Sequence, residues 1–291
     1  MHRKAKEKKY IKPARTPKEK ALRVLLYVTV ILVSLVILYP YFAMFTTALK
    51  SRAEIYAMKG TILPIKWEWK NFTEIWKLAP LGRYFLNSII VAGGATAIAI
   101  ICGIPAAYAL SRMKFKGKKF FLGLVIISQM FAPVVLLVGI YKVMSVLHLT
   151  DTLVALVFVN AAFNQAFAIW LLRGTFMSIS PEMEQAATID GCNQVQAMTR
   201  VLLPVAAPGI VTALIFVFIN AWNEYTVALT LISTDVLKPL TVGITVFNGY
   251  NMIEWQYLFA SSLFATIPVI ILFVCIEKHL VGGLTSGGVK G

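Results

Sequence analysis

Ser180-Pro181-Glu182-Met183-Glu184-Gln185-Ala186-Ala187-Thr188-Ile189-Asp190-Gly191 is the stretch on which the architecture turns. It has the marks of a short, bounded helix. Ser180 is a capping residue, Pro181 suits the first helical position, and Glu182 and Glu184 lie in the first turn, where the helix dipole favours carboxylates. Gly191 ends it. A second helical stretch at 194–203 leads to Pro204 and Pro208, which mark entry into the next apolar run. Ala186, Ala187 and Gly191 permit close backbone approach. Such a helix reads either as a rigid element that passes movement from a soluble motor to the membrane, or as an amphipathic connector lying in the interface.

What surrounds it is membrane. Of 291 residues, 58% are hydrophobic and only 14% charged, against roughly one-quarter charged in soluble domains. Crossing about 30 Å of hydrocarbon takes roughly 20 helical residues. Uncharged runs of that length occur at 24–49, 84–111, 120–141, 152–172, 201–223 and 255–276, which predicts six spans. The fifth is expected to continue past Glu224 to about Leu231, because the residues after that glutamate are again apolar. The first run is too long for the 7 to 15 apolar residues of a secretory signal and is expected to be a retained anchor.

The net charge of +15 follows topology rather than nucleic-acid binding. Basic residues crowd the start of the chain (Arg3, Lys4, Lys6, Lys8, Lys9, Lys12, Arg15, Lys18, Lys20) and the short loop after the second run (Arg112, Lys114, Lys116, Lys118, Lys119). An even number of spans puts both segments, the Ser180–Gly191 helix and the C-terminus on one side, which the Lys/Arg bias makes cytoplasmic. The loop from Lys50 to Arg83 is also basic, partly offset by Glu54, Glu68 and Glu74, but short loops obey the rule best. The expected organisation is a basic arm at 1–21, disordered or laid against anionic lipid, a transmembrane domain at 22–281 with its main cytoplasmic loop at about 174–206, and a tail at 282–291. Trp67, Trp69 and Trp76 in the outer loop fit an interfacial belt or a partner-docking surface equally.

No catalytic chemistry is legible. Gly117-Lys118-Lys119 lacks the upstream glycine and the hydroxyl residue of a phosphate-binding loop. His2, His148 and His279 have no metal-ligand spacing, and Cys102, Cys192 and Cys275 suggest no disulfide framework. No cofactor is expected. Polar residues within the runs are informative because they are expensive there. Asn160 and Asn164 share one helix face, and Asn220, Asn223 and Glu224 share another one run later. They line a water-filled path or bond between helices; Glu224 in addition requires a partner or water.

The same helix resembles the EAA loop of membrane subunits of ATP-binding-cassette importers: Glu-Ala-Ala, three residues, Gly, nine residues, Ile, one residue, Leu-Pro. Here Gln185-Ala186-Ala187, three residues, Gly191, nine residues, Val201, Leu202 and Leu203-Pro204 keep that spacing. Gln185 replaces the family glutamate, which is thought to meet a basic residue of the ATPase, and Glu184 is the expected substitute charge. From the second run onward the chain is similar to the carbohydrate-uptake branch that includes the smaller membrane subunit of the maltose permease. Carrying this are Asn87-Ser88, the 107–112 segment Ala-Tyr-Ala-Leu-Ser-Arg, Leu149-Thr150-Asp151-Thr152, Ile169-Trp170-Leu171-Leu172-Arg173, Ala221-Trp222-Asn223-Glu224-Tyr225 and the closing 283–291 segment. Asn164-Gln165-Ala166-Phe167 departs from the family, which often carries a proline before the Phe.

The resemblance implies an all-α membrane protein of the type I importer permease fold, with six transmembrane helices and a cytoplasmic coupling helix. Glu184, Gln185, Ala186, Ala187, Asp190, Gly191, Leu203 and Pro204 would meet the ATPase, and the tail would reach toward it. Implied partners are a homologous second permease subunit, a cytoplasmic ATPase dimer and an extracytoplasmic sugar-binding protein, in the plasma (inner) membrane. The competing expectations are an ion-coupled secondary transporter with Glu224 as coupling carboxylate, or an importer for a polyamine or glycerol phosphate.

Overall fold

A computed structural model describes the backbone of residues 17–249 and 251–286 and the side chains of residues 18, 21–249 and 251–275. The basic arm to residue 16 and the tail from residue 287 lie outside the described residues, as does the His279 side chain. Pro17–Ala21, assigned above to the arm, forms the first turns of a helix, and the expected tail boundary at 282 also falls inside one.

In chain order the helices are α1 Pro17–Ala48, α2 Arg52–Ile55, α3 Asn71–Leu78, α4 Leu81–Arg112, α5 Lys118–Ser128, α6 Pro133–Val146, α7 Leu153–Ser178, α8 Pro181–Ile189, α9 Gln194–Gln196, α10 Leu203–Trp222, α11 Thr226–Leu231, α12 Leu240–Gly243 and α13 Trp255–Ser286. A π-helical turn, Ala197–Leu202, joins α9 to α10.

The core is the seam between α4 and α7, with α10 laid across both. Small residues make it: Ala92, Ala95 and Ala99 of α4 and Ala155, Ala161 and Ala168 of α7 are buried. A Cβ on Gly94 would stand 3.1 Å from Val157, and one on Gly103 would stand 3.2 Å from Leu172. Without a hydrophobic drive between helices in lipid, such close approach is what holds them together. Gly209 is tighter still; its added Cβ would lie 2.3 Å from Thr175, so α10 reaches α7 only with glycine there. By contrast α1 has none of its most apolar 18-residue window buried, against half for α7.

Among the described residues, five helices are long and apolar enough to cross a membrane: the 21–48, 81–112, 153–178, 194–222 and 255–275 segments. The third predicted span is not a straight helix. It is α5 and α6, bent by 101°, and six spans are reached only when that pair counts as one. Pro133 explains the break, since a proline drives the preceding residue out of the helical region; Ala132 is extended at φ −65°, ψ 130°.

The fifth span also differs from expectation. Instead of running to Leu231, α10 ends at Trp222, and α11 starts afresh after Asn223, Glu224 and Tyr225. At its other end the separate helix expected at 194–203 is continuous with α10. The π turn, which widens the backbone spacing just before Pro204, lets the helix pass a residue with no N–H.

Candidate functional site

The α8 end of the molecule is built as the sequence suggests. Ser180 accepts a hydrogen bond from the Glu182 N–H at 3.3 Å and Pro181 opens the helix. At the far end Gly191 takes φ +89°, a left-handed conformation that favours glycine. Asn193 then starts α9 with a capping box: its Oδ1 accepts from the Gln196 N–H at 2.9 Å, and Gln196 Oε1 accepts from the Asn193 N–H at 3.0 Å.

What seats α8 is a contact with α4. Tyr108 donates its hydroxyl to Glu184 Oε1, and Arg112 Nε lies 3.2 Å from Glu184 Oε2 as an ion pair whose angle is not that of a hydrogen bond. Arg112 Nη2 also donates to the Ile179 carbonyl at 2.7 Å, just ahead of α8. Ala187 is buried beneath. Glu184 is therefore turned inward onto its own chain rather than presented in place of the missing glutamate. Gln185, Ala186, Asp190 and Gly191 are exposed on the outer side, with Pro204 exposed and Leu203 half-buried at the head of α10. Ile189 is 86% exposed there and Val195 65%.

The polar residues of the spans divide. Asn160 and Asn164 are buried and donate to carbonyls one turn back, Leu156 and Asn160, each at 2.9 Å. Gln165 crosses to α4, donating to the Ala99 carbonyl at 3.3 Å. Asn220 and Asn223 are exposed. Glu224 is neither a lone charge nor part of a continuous helix: Oε1 accepts from the Val227 N–H at 2.7 Å and Oε2 from the Ala228 N–H at 3.1 Å, capping α11. The start of a helix is where a carboxylate is favoured. Asn160 and Glu224 do meet, around a cavity of about 10 Å³ shared with Ser88 and Pro239, close to the volume one water needs. Asn220 and Asn223 do not line that cavity.

At the end opposite α8, the segment after α11 is pinned from two sides. Asp151, in the turn before α7, accepts from the backbone of Ser233 and Thr234 at 2.9 Å each and from the Thr234 hydroxyl at 2.5 Å. Those donors hold its carboxyl below the usual carboxylate range, the hydroxyl contributing most. Tyr84 donates to Asp235 at 2.8 Å, and Lys238 lies 2.8 Å from the same carboxylate; Lys238, then Tyr84, hold it low as well. Asn87 donates to the Val236 and Lys238 carbonyls at 2.9 and 3.0 Å, and Ser88 accepts from the Leu240 N–H at 2.8 Å.

Sequence reasoning singled out these short segments without assigning them work. Tyr108, Arg112, Asn87, Ser88 and Asp151 all sit in them, and each is a pin between elements. The signal available was their polarity at the ends of apolar helices. No group of three or more His, Cys, Asp or Glu side chains suited to a metal occurs among the described residues.

Residues 95–285 match the model of the binding-protein-dependent transport system inner membrane component. The probable ABC transporter permease protein YurM of Bacillus subtilis is 36% identical over 91% of this chain and 88% of its own. The trehalose transport system permease protein SugB of Mycobacterium tuberculosis is 33% identical over 87% of this chain and 93% of its own. In fold, the chain is similar to a bacterial ABC transporter involved in the import of the acidic polysaccharide alginate, with a TM-score of 0.76 and 23% identity over 92% of this chain and 99% of that one. A multi-pass helical protein with α8 seated on the end of α4, matched over most of its length, belongs to the family of binding-protein-dependent transport system inner membrane components.

Proposed function

We propose that this chain is the membrane-spanning permease subunit of an ATP-driven, binding-protein-dependent sugar importer, moving substrate by alternating access and carrying no catalytic centre of its own. The observation that carries the reading is the seating of α8. A helix clamped to α4 on its inner side and leaving Gln185, Ala186 and Ile189 exposed on its outer side is shaped to receive a soluble partner and pass on its movement. Both termini and α8 are then cytoplasmic, consistent with Arg112, Lys114, Lys116, Lys118 and Lys119 at that end.

The partners of this reading are an ATPase dimer beneath α8, a homologous second permease subunit and an extracytoplasmic sugar-binding protein. The exposed apolar faces of α5 and α6, with Val138 at 83% and Ile126 at 57%, are surfaces for lipid or for that second subunit. Asn220, exposed on α10, and Asn223, exposed just past its end, suit a path lined jointly by two subunits, whereas Asn160 and Asn164 act within this one. Glu224, committed to capping α11, is poorly placed as a coupling carboxylate for an ion gradient. A sugar is favoured over a polyamine or glycerol phosphate by similarity to a trehalose transport permease.

Purification of the tagged chain from its native membrane in mild detergent tests this. Co-recovery of a second permease and an ATPase, and trehalose uptake into proteoliposomes that requires ATP and the binding protein, are expected. Uptake by the chain alone that follows an ion gradient without ATP would overturn it.

A further inference from the structure

No charged residue lies between Arg23 and Lys50. From Arg23 to Phe45 α1 rises about 33 Å, close to the roughly 30 Å of hydrocarbon in a bilayer. With Arg23 at one boundary, Phe45 stands at the other, the one farther from α8.

The chain returns to that level between α2 and α3. The Glu68 N–H donates to the Leu49 carbonyl at 2.9 Å, and Asn71 Nδ2 donates to the Ala48 and Lys50 carbonyls at 2.9 and 3.0 Å. The segment is thereby fastened to the end of α1. Trp69 meets the Phe45 ring edge-on with centroids 6.2 Å apart, and Trp67 stacks on Trp69 at 6.2 Å and 17°. All three rings are exposed. Glu68, between the two indoles, instead lines a polar cavity with Arg52, Asn71 and Glu254. Lys66 and Lys70 lie 3.2 and 3.7 Å from that one carboxylate, with side chains 82% and 62% exposed, so one positive charge is left uncompensated.

Outward from the flank of α1 the surface thus passes from aliphatic side chains, through indoles that pair an apolar face with an N–H, to ammonium groups. That is the order of acyl chain, ester carbonyl and phosphate in a leaflet, and indoles gather at the middle level. A folded partner imposes no such order with depth.

We propose that the 66–70 segment is a phospholipid-docking surface in the leaflet farther from α8, with the Trp67 and Trp69 indoles at the ester level and Lys66 and Lys70 on phosphate. The uncompensated charge gives it a preference for anionic headgroups.

The test places the complete assembly in nanodiscs whose phospholipids carry bromine, a contact quencher of tryptophan, either high or low on the acyl chain. The difference in emission between the unaltered assembly and one carrying Trp67→Phe with Trp69→Phe isolates this pair. It is expected to be quenched more by bromine near the ester than by bromine near the chain end. Trp67→Phe alone, at the outer ring of the stack, decides the matter if the double variant fails to assemble. At low mole fraction, brominated phosphatidylglycerol is expected to occupy the surface about fivefold better than brominated phosphatidylcholine, and Lys66→Gln with Lys70→Gln to abolish that preference. Emission from the pair that neither bromine position quenches, or quenching that disappears when the soluble binding protein is added, overturns the surface, the second outcome assigning it to protein docking. An equal response to both headgroups overturns the phosphate contact.

Discussion

Replacing Arg112 by Met, which keeps an unbranched stem of the side chain and removes its charged head, should uncouple ATP hydrolysis from transport. Two interactions go at once: the 3.2 Å ion pair with Glu184 and the 2.7 Å hydrogen bond to the Ile179 carbonyl. The side chains of the pair are 12% and 19% exposed. That places the loss between the 0.2–1 kcal/mol of exposed pairs and the 3–5 kcal/mol of breaking a buried one, at about 2 kcal/mol after allowing for residual solvent. At 1.4 kcal/mol per tenfold, the seated arrangement of α8 is disfavoured by a factor of roughly 30. Glu184→Gln keeps a partner for Tyr108 and should lose less, about 1 kcal/mol. The assay is sugar transported per ATP hydrolysed in proteoliposomes, alongside the α8–α4 distance from spin labels. Falling transport with continued hydrolysis is expected in both variants. An unchanged ratio in both would refute the clamp as the route by which α8 moves α4.

Gly209→Ala should destabilise the subunit by about 1–3 kcal/mol by forcing α10 off Thr175, and Thr175→Ala, which removes the two atoms at 2.3 Å, should recover part of it in detergent thermal unfolding. Gly191 has open space around a would-be Cβ but φ +89°, so conformation rather than bulk decides: Gly191→Ala should weaken uptake through about 1 kcal/mol of left-handed strain, and Gly191→Asn should do less harm. Because the folded-state pKa of Asp151 is depressed, its contribution is complete above the ordinary Asp value of about 3.9 and is lost as pH falls through the depressed one. Stability should thus be flat in this respect from pH 8 to 5 and fall in acid, and Asp151→Asn should lack that share of the acid limb in melting curves. Asn220→Leu and Asn223→Leu should reduce sugar uptake while leaving assembly yield unchanged; a fall in yield instead would place both in packing.

Much of this was open to reading because the bilayer imposes a length and a polarity on anything that crosses it. Runs 84–111 and 152–172 became α4 and α7 with only their ends moved, and Ser180, Pro181 and Gly191 bounded α8 by local chemistry alone. What escaped were breaks within apolar sequence. Hydropathy sees residues 120–141 and 201–231 as continuous, since a kink changes direction without changing composition. Pro133 was a visible cause of the first. Glu224 marked the second but read as a charge needing a partner, when the partner was the backbone at the start of the next helix, α11. The inward turn of Glu184 depended on Tyr108 and Arg112, some 70 residues earlier, a pairing that no spacing within α8 could reveal.

The bare flank of α1 bears on which substitutions the subunit can absorb. Through most of its 32 residues, about 48 Å of helix against roughly 30 Å of hydrocarbon, its neighbours are lipid or another chain. Lipid reads little beyond average greasiness, so almost any apolar sequence serves there, while a single added methyl group at Gly209 is felt by two helices at once. A substitution on that flank is absorbed by whatever surrounds the subunit, as on a fitting rather than a part of the engine, whereas one in the seam is felt by the subunit's own packing.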